Sequence, residues 1–403
     1  MSGTTIDHMI SLTILVAALL VAMMAYNGLF ASAIDYDQNR QVANKAIDIM
    51  NTICLSPGNP TDWGETNASL LGFGLQDPRE GGYALSPFSI MRLNTATNVS
   101  KLVYYPGTDS YYNNVTSSSG YTALTPLGNC VNYTTASELL GINGKYGFTI
   151  DVNPVLTIEV TQVDTNPLVL NVDVRGTALP VSGATLTYHL LEVIGTGDYP
   201  AIVSHSGEAI TRPSGSVNIT FSGVNANTRS YSFTVYANIG GITGVGYSAH
   251  NTAEAQVPYV VPLIYDYDNG LILIAHGWDI FEDSGVQAEV KYNATFYILT
   301  SDFQLQPVSI SNSTDHINWG SNEYFVTKIP ASETGFLVIS YKKSAQETGT
   351  VIMPWGIASL GVKTNYSSGI GSIGYDFVAT EIRQVTIDGI SYQVKVSTWS
   401  LMG

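Results

Sequence analysis

"MISLTILVAALLVAMMAYNGLFASAI" (Met9–Ile34) runs for 26 residues without a charged side chain, and "DYDQNRQVANKAIDIMNTIC" (Asp35–Cys54) follows it at once. A helix rises about 1.5 Å per residue, so the first stretch extends about 39 Å. A bilayer's hydrocarbon core is about 30 Å thick, so the stretch is long enough to span it with some tilt. It is too long for the apolar region of an ordinary secretory signal. The second stretch keeps a helical pattern but becomes two-sided. Val42, Ala46, Ile49 and Ile53 recur at helical spacing, and Ala43, Ile47, Met50 and Cys54 repeat them one step on. Together they make one apolar stripe. Asp35, Asp37, Arg40, Lys45 and Asp48 supply the wet face. Pro57, Gly58 and Pro60 in "LSPGNP" stop the helix. The pattern predicts one helix over 1–54 that leaves a membrane and lays its second half on an outer domain.

The body of the chain reads as β-structure. Residues 55–153 are loop-rich and aromatic: "KLVYYPGTDSYYNNVTSSSGY" sets Tyr104, Tyr105, Tyr111, Tyr112 and Tyr121 among turn formers. "ASELLGING" (Ala136–Gly144) predicts a short helix ended by glycine. From 154 to 257 the period becomes two. "VLTIEVTQV", "LVLNVDV", "ATLTYHLL", "SVNITFS", "YSFTVYANI" and "GVGYSAH" are short runs parted by Gly, Pro, Asn and Asp. About seven strands in about a hundred residues fit a β-sandwich, and "ALPVSGATLTYHL" (Ala178–Leu190) is similar to the early strands of bacterial-type immunoglobulin-like repeats. A second β-block fills 258–403. It closes on "VTIDGISYQVKV", where Asp388-Gly389 predicts a type I′ hairpin turn. The fold class expected is therefore mainly β: a long N-terminal apolar helix followed by two sandwich-like domains.

Composition narrows the function. Charged residues make up only 12% of the 403, about half the usual share, and 25 are Tyr. Such a surface of Asn, Ser, Thr, Gly and Tyr suits an extracellular β-protein. The net charge of −16 leaves no basic footprint for nucleic acid or for anionic lipid headgroups. Sequons stand at Asn67, Asn98, Asn114, Asn132, Asn218, Asn293, Asn312 and Asn365, which are candidates for glycosylation outside the cell. Cys54 and Cys130 are the two cysteines. They form either one disulfide or two free thiols.

Catalytic and cofactor motifs give little. "GIGSIG" (Gly369–Gly374) matches a dinucleotide fingerprint, but a strand-like run follows where a helix is required. "DYDNG" (Asp266–Gly270) opens like a calcium loop without its distal acid. His189, His205, His250, His276 and His316 are scattered without zinc spacing. "GYSAH" (Gly246–His250) lacks the second glycine of a nucleophile elbow. "GKY" (Gly144–Tyr146) lacks the rest of a phosphate loop. The sequence predicts no enzyme, no cofactor and no metal.

The long helix, apolar first and amphipathic later, ahead of a β-domain, resembles the type IV pilin and archaellin superfamily of archaea. "NPTDWG" (Asn59–Gly64), "GFGLQDP" (Gly72–Pro78) and "YALSPFSIMRLN" (Tyr83–Asn94) are similar to phrases that follow that helix in archaeal pilin-like exported proteins. The resemblance reaches residue 155 at most. It implies a homo-oligomeric helical filament on the cell surface. The helix would be held in the membrane before assembly, and apolar neighbours would then replace lipid. Small residues at Ala18, Ala22, Ala25 and Gly28 form the expected helix contact. Cleavage after Gly3 would place Asp7 fourth, near where the family keeps an acidic residue, although "MSGTTIDH" carries none of the family's basic residues. The other reading that the residues allow is a monomeric membrane-anchored surface protein or adhesin.

Overall fold

The computed structural model describes residues 3–66, 68–93, 102–105, 110–116, 122–126, 130–195, 201–251, 260–266, 271–276, 291–299, 305–312, 326–328, 335–342, 348–355, 362–368 and 377–401. Strand accounts for 48% of the structure and helix for 24%, so the protein is mainly β with one dominant helix.

That helix, α1, runs from Gly3 to Leu55 without a break. The short α2 (Pro87–Met91) starts at an N-cap, where the Ser86 side chain accepts from the Ser89 amide. A hairpin series follows: β1 (Leu102–Tyr105), β2 (Ser110–Thr116) and β3 (Thr122–Pro126). The helix expected at 136–144 is α3 (Tyr133–Leu139). It begins earlier than the sequence suggested because Asn132 caps it, accepting from the Thr134 amide at 2.9 Å. Strand β4 (Tyr146–Pro154) then leads into seven strands: β5 (Thr157–Thr165), β6 (Leu168–Arg175), β7 (Thr185–Ile194), β8 (Ala201–Ile210), β9 (Ser216–Phe221), β10 (Ser230–Ile239) and β11 (Ile242–His250).

These seven form two sheets, ordered β5-β6-β9 and β11-β10-β7-β8. They face each other across a core of Leu168, Leu170, Val172, Leu186, Leu190, Phe221, Phe233 and Val235. Alternation puts every second residue of β6 inward, as the period-two pattern requires. This is the expected sandwich of immunoglobulin-like type.

Next come β12 (Val260–Asp266), β13 (Leu271–His276), β14 (Lys291–Leu299), β15 (Leu305–Asn312), β16 (Val326–Lys328), β17 (Gly335–Lys342) and β18 (Thr348–Trp355). Strands β12, β13 and β16 extend the β1-β2-β3 sheet, while β15-β14-β17-β18 make a separate antiparallel sheet. The latter covers the outer face of the sandwich: Phe336, Val338 and Ile352 pack on Leu191 and Val193. Asn251 fixes this contact by bracketing the backbone of Ile352, accepting from its amide at 3.0 Å and donating to its carbonyl at 3.4 Å.

The chain ends with β19 (Thr364–Tyr366), β20 (Val378–Ile387) and β21 (Ile390–Ser400). Here the structure departs from the division at residue 258. These last strands pair outside the second β-block, although Leu337, Ile339, Val351 and Met353 of that block share their core. They return to β4 in one antiparallel sheet, ordered β19-β4-β21-β20. Alternation within each strand was legible; the choice of partner was not, because pairing is long-range and any alternating strand offers the same ladder. The Asp388-Gly389 turn is as expected, with φ of +49° and +73° at its two central residues.

One face of this sheet is apolar: Phe148, Ile150 and Val152 of β4, Val394 and Val396 of β21, and Val385 and Ile387 of β20. The second half of α1 lies across it, with Ile49, Met50, Ile53 and Cys54 in the same core. Val42 and Ala46 meet Ala379. The predicted stripe is thus the packing face, save that Ile47 stays 42% exposed. The opposite sheet face carries Asn365 and Lys395, both directed at Asp151, together with the buried Trp399 opposite Gly147.

Candidate functional site

Two regions of α1 behave oppositely. From residue 6 to residue 38 every position is exposed. Leu12, Ile14, Leu15, Leu19, Leu20, Met23, Met24, Leu29 and Phe30 all stand out from the body of the protein. Soluble monomers rarely expose contiguous apolar patches beyond a few hundred Å², and this one surrounds the whole helix. Among the described residues α1 is the helix long and apolar enough to cross a membrane. Ala18, Ala22 and Ala25 fall on one stripe of this surface. On an ideal helix Gly28 lies roughly 80° around from Ala18, at the stripe's edge. Nothing lies within 4 Å of the Cβ that Gly28 lacks, so a neighbouring backbone could approach closely there.

The base of the helix is held by the three phrases that follow it. The carbonyls of the last turn have no intrahelical partners. Segment 72–76 supplies them: the Leu75 amide donates to Ile53 at 2.9 Å, and the Gln76 amide donates to Ser56 at 3.0 Å. Asn59 and Leu71–Gly72 pair across the loop. Trp63 is fully buried between these strands, its indole N–H donating to the carbonyls of Pro57 (2.9 Å) and Gly74 (3.2 Å). Arg92, also buried, stacks its guanidinium 5.0 Å from the Trp63 ring centre and donates to the carbonyls of Trp63 and Thr66. Segment 83–86 then joins the sheet: Leu85 donates to Thr386 at 2.9 Å, Thr386 to Tyr83 at 3.0 Å, and Ser86 to Leu75 at 2.8 Å. Arg383 of β20 completes the tie, donating to Asn51 of α1 at 3.0 Å and stacking on Tyr83. So "NPTDWG", "GFGLQDP" and the described part of "YALSPFSIMRLN" (83–93) form one clasp binding the helix end to the sheet. Their proximity could not be read from the sequence, where they stand apart.

The disulfide alternative is corrected: Cys54 and Cys130 are free. Cys54 points inward from α1, with Sγ 3.5 Å from Met50 Sδ, whereas Cys130 is at the surface. Burial pushes the Cys54 thiol up to about 11, against a smaller opposing pull from Arg383. It therefore stays protonated and unreactive.

Of the sequons, Asn132, Asn218 and Asn365 have exposed side chains. Asn132 uses its oxygen as the α3 cap. Asn218 accepts from Asn171 at 2.7 Å, also through its oxygen. Asn365 instead donates its amide nitrogen to Asp151. Asn114, Asn293 and Asn312 lie in β2, β14 and β15. Asn67 and Asn98 lie outside the described residues, as do "GIGSIG" and most of "DYDNG". His250 lies against Tyr231, the ring centres 5.9 Å apart, and His205 pairs with Glu192. Among the described residues no group of three His, Cys, Asp or Glu side chains is placed to hold a metal.

No known protein family matches the chain, and no curated protein matches it. Solved structures similar to it include the calcium-bound tandem C2 domains of Extended-Synaptotagmin 2, at 9% identity over 63% of this chain and 96% of that one, with a TM-score of 0.10. A longer form of the same protein, carrying its SMP domain as well, gives 10% identity over 70% of this chain and 61% of that one, with a TM-score of 0.09.

Proposed function

We propose that the protein is a structural subunit of an archaeal type IV pilus-like filament on the cell surface, assembled through the first half of α1. The observation that carries this reading is the contrast along one unbroken helix. Its second half is built into a sheet, while its first half buries nothing in its own chain. Apolar surface of that extent needs another apolar environment. Lipid supplies it before assembly, and the helices of neighbouring copies supply it afterwards. Because lipid is as apolar as leucine, helices associate by close packing, and the small residues at Ala18, Ala22 and Ala25 favour that. The β-domains then decorate the outside, carrying sugar on exposed sequons and offering surface for adhesion.

Electron microscopy of sheared cell-surface material, joined to mass spectrometry of the mature N-terminus, tests the reading. Filaments containing this chain are the expected result. A chain that leaves the membrane only in detergent, and only as a monomer, replaces the filament with a membrane-anchored surface protein.

A further inference from the structure

Three parts of the chain meet at the turn between β20 and β21. Segment 77–86 is stitched to the end of β20 through the Leu85–Thr386 and Thr386–Tyr83 hydrogen bonds, and it carries Asp77, Arg79 and Glu80. From another side comes β11 of the sandwich. The Thr243 amide donates to Ser391 Oγ at 3.1 Å, and the Val155 amide donates to the Ser391 carbonyl at 3.0 Å. Strand alternation divides β11. A Cβ at Gly244 or Gly246 would strike Leu156 or Ile158 inside the sandwich. Val245 and Ala249 take the other side and pack on the core beneath α1. Tyr247 lies on that side too, where Tyr236, Tyr392 and Asp388 act on its hydroxyl.

Asp388 Oδ2 and the Tyr247 hydroxyl are both buried here without a hydrogen-bond partner. A carboxylate so placed is costly, and its simplest relief is a proton. Local charge points the same way. Asp77, Glu80 and Asp388 face Arg79, which already serves Asp77 (3.2 Å) and Glu65 (2.5 Å). Burial first, then repulsion from Glu80 and Asp77, pushes the Asp388 carboxyl up to about 7, with Arg79 opposing. Glu80 is also raised, by burial and by Asp77. Tyr247 and Tyr392 are raised by burial and stay neutral.

We propose that Asp388 is a proton-operated latch between the helix-bearing sheet and the inserted sandwich: the neutral acid fastens the junction, and the carboxylate loosens it. The folded junction keeps a proton that the unfolded chain has lost. Its contribution is complete below the ordinary aspartate range and is lost as pH rises through about 7. This holds whether or not the chain builds a filament.

Hydrogen exchange on the full chain in detergent, corrected for intrinsic rates, reads the latch in segments 242–250 and 388–393. Protection there should fall at least tenfold between pH 5.5 and pH 8.0, a loss not shared by the β5-β6-β9 sheet. In Asp388→Asn, protection should be high and independent of pH, since asparagine also tolerates the positive φ. Glu80→Gln should move the wild-type transition to lower pH, because one repulsive charge is gone. Equal pH dependence in wild type and Asp388→Asn overturns the proposal. If Asp388→Asn does not fold, an unmoved transition in Glu80→Gln overturns it.

Discussion

At the scale of single residues, the clasp leaves no room for substitution at Gly74. A Cβ there would lie 2.1 Å from the Ser56 carbonyl oxygen, which is backbone and cannot swing away. Gly74→Ala should therefore destabilise the protein by roughly 2–3 kcal/mol, as overpacking of a tight interior does. Chemical denaturation followed by tryptophan fluorescence measures it; a change within about 0.5 kcal/mol counts against the clasp as a rigid tie. A glycine so placed could not be told from a flexible loop glycine in the sequence, because its constraint comes from a segment sixteen or more residues away. The sequons also separate only in three dimensions. Glycan transfer needs the asparagine nitrogen. At Asn132 and Asn218 the oxygen is engaged, while at Asn365 the nitrogen itself is donated to Asp151. Glycopeptide mass spectrometry should find sugar at Asn132 and Asn218 more than at Asn365, and Asp151→Ala should raise occupancy at Asn365. Higher occupancy at Asn365 in the wild type would falsify this ordering.

At the scale of elements, α1 carries the main prediction. Ala22→Leu and Ala25→Leu enlarge the stripe that would meet a neighbouring helix, yet leucine favours lipid. Membrane insertion should be unchanged, while polymer recovered by shearing falls about tenfold, the effect of losing roughly 1–2 kcal/mol per helix contact. Normal filaments from both variants would remove this stripe from assembly. The helix was also the most legible element, because its apolar run and its later stripe are both periodic signals. Only Ile47 departs from the stripe, at whose margin it stays 42% exposed. The sandwich strands were legible for the same reason, except β8. Its "AIVSHSGEAI" is an edge strand with one exposed face and small polar residues, so it sends little periodic signal. The Asp388-Gly389 turn announced itself because few dipeptides accept positive φ twice. The clasp, the buried Arg92 and the junction at Asp388 were silent, since each depends on which distant segments meet.

At the scale of the whole molecule, the last strands return to β4 to close a framework, but the segment between stays tied to it: β12 pairs with β3, and Phe296, Leu337, Ile339, Val351, Met353 and Trp355 join the core beneath α1. α1, β4, β19, β20 and β21 build one helix-on-sheet unit, and the sandwich with its neighbouring sheet lies between β4 and β19 in the chain. Those two strands are antiparallel neighbours, with Thr364 opposite Val152. The chain therefore leaves the framework at residue 154 and re-enters it at residue 362 from adjacent positions, as the two arms of a hairpin do. A connection at such a point adds little closure cost, because the strand ends already lie together, while the connected segment also supplies core contacts. Replacing residues 155–361 by Asn-Gly should convert β4 and β19 into a plain hairpin with a type I′ turn. The shortened chain should keep α1 on its sheet, with Trp63 buried and the near-ultraviolet circular dichroism of a packed aromatic core. It should be less stable than the full chain, since it loses the β3–β12 pairing, the core side chains from β14, β17 and β18, and the sandwich's cover over Tyr392 and Ser391. Because α1 is untouched, the shortened chain should enter membranes normally. On the filament reading it should also polymerise into fibres of smaller diameter. A truncated protein with helix but no fixed aromatic signal would show that the core contacts supplied by residues 155–361 are required to hold the framework together. A folded truncated protein that never polymerises would instead place assembly contacts in the outer domains.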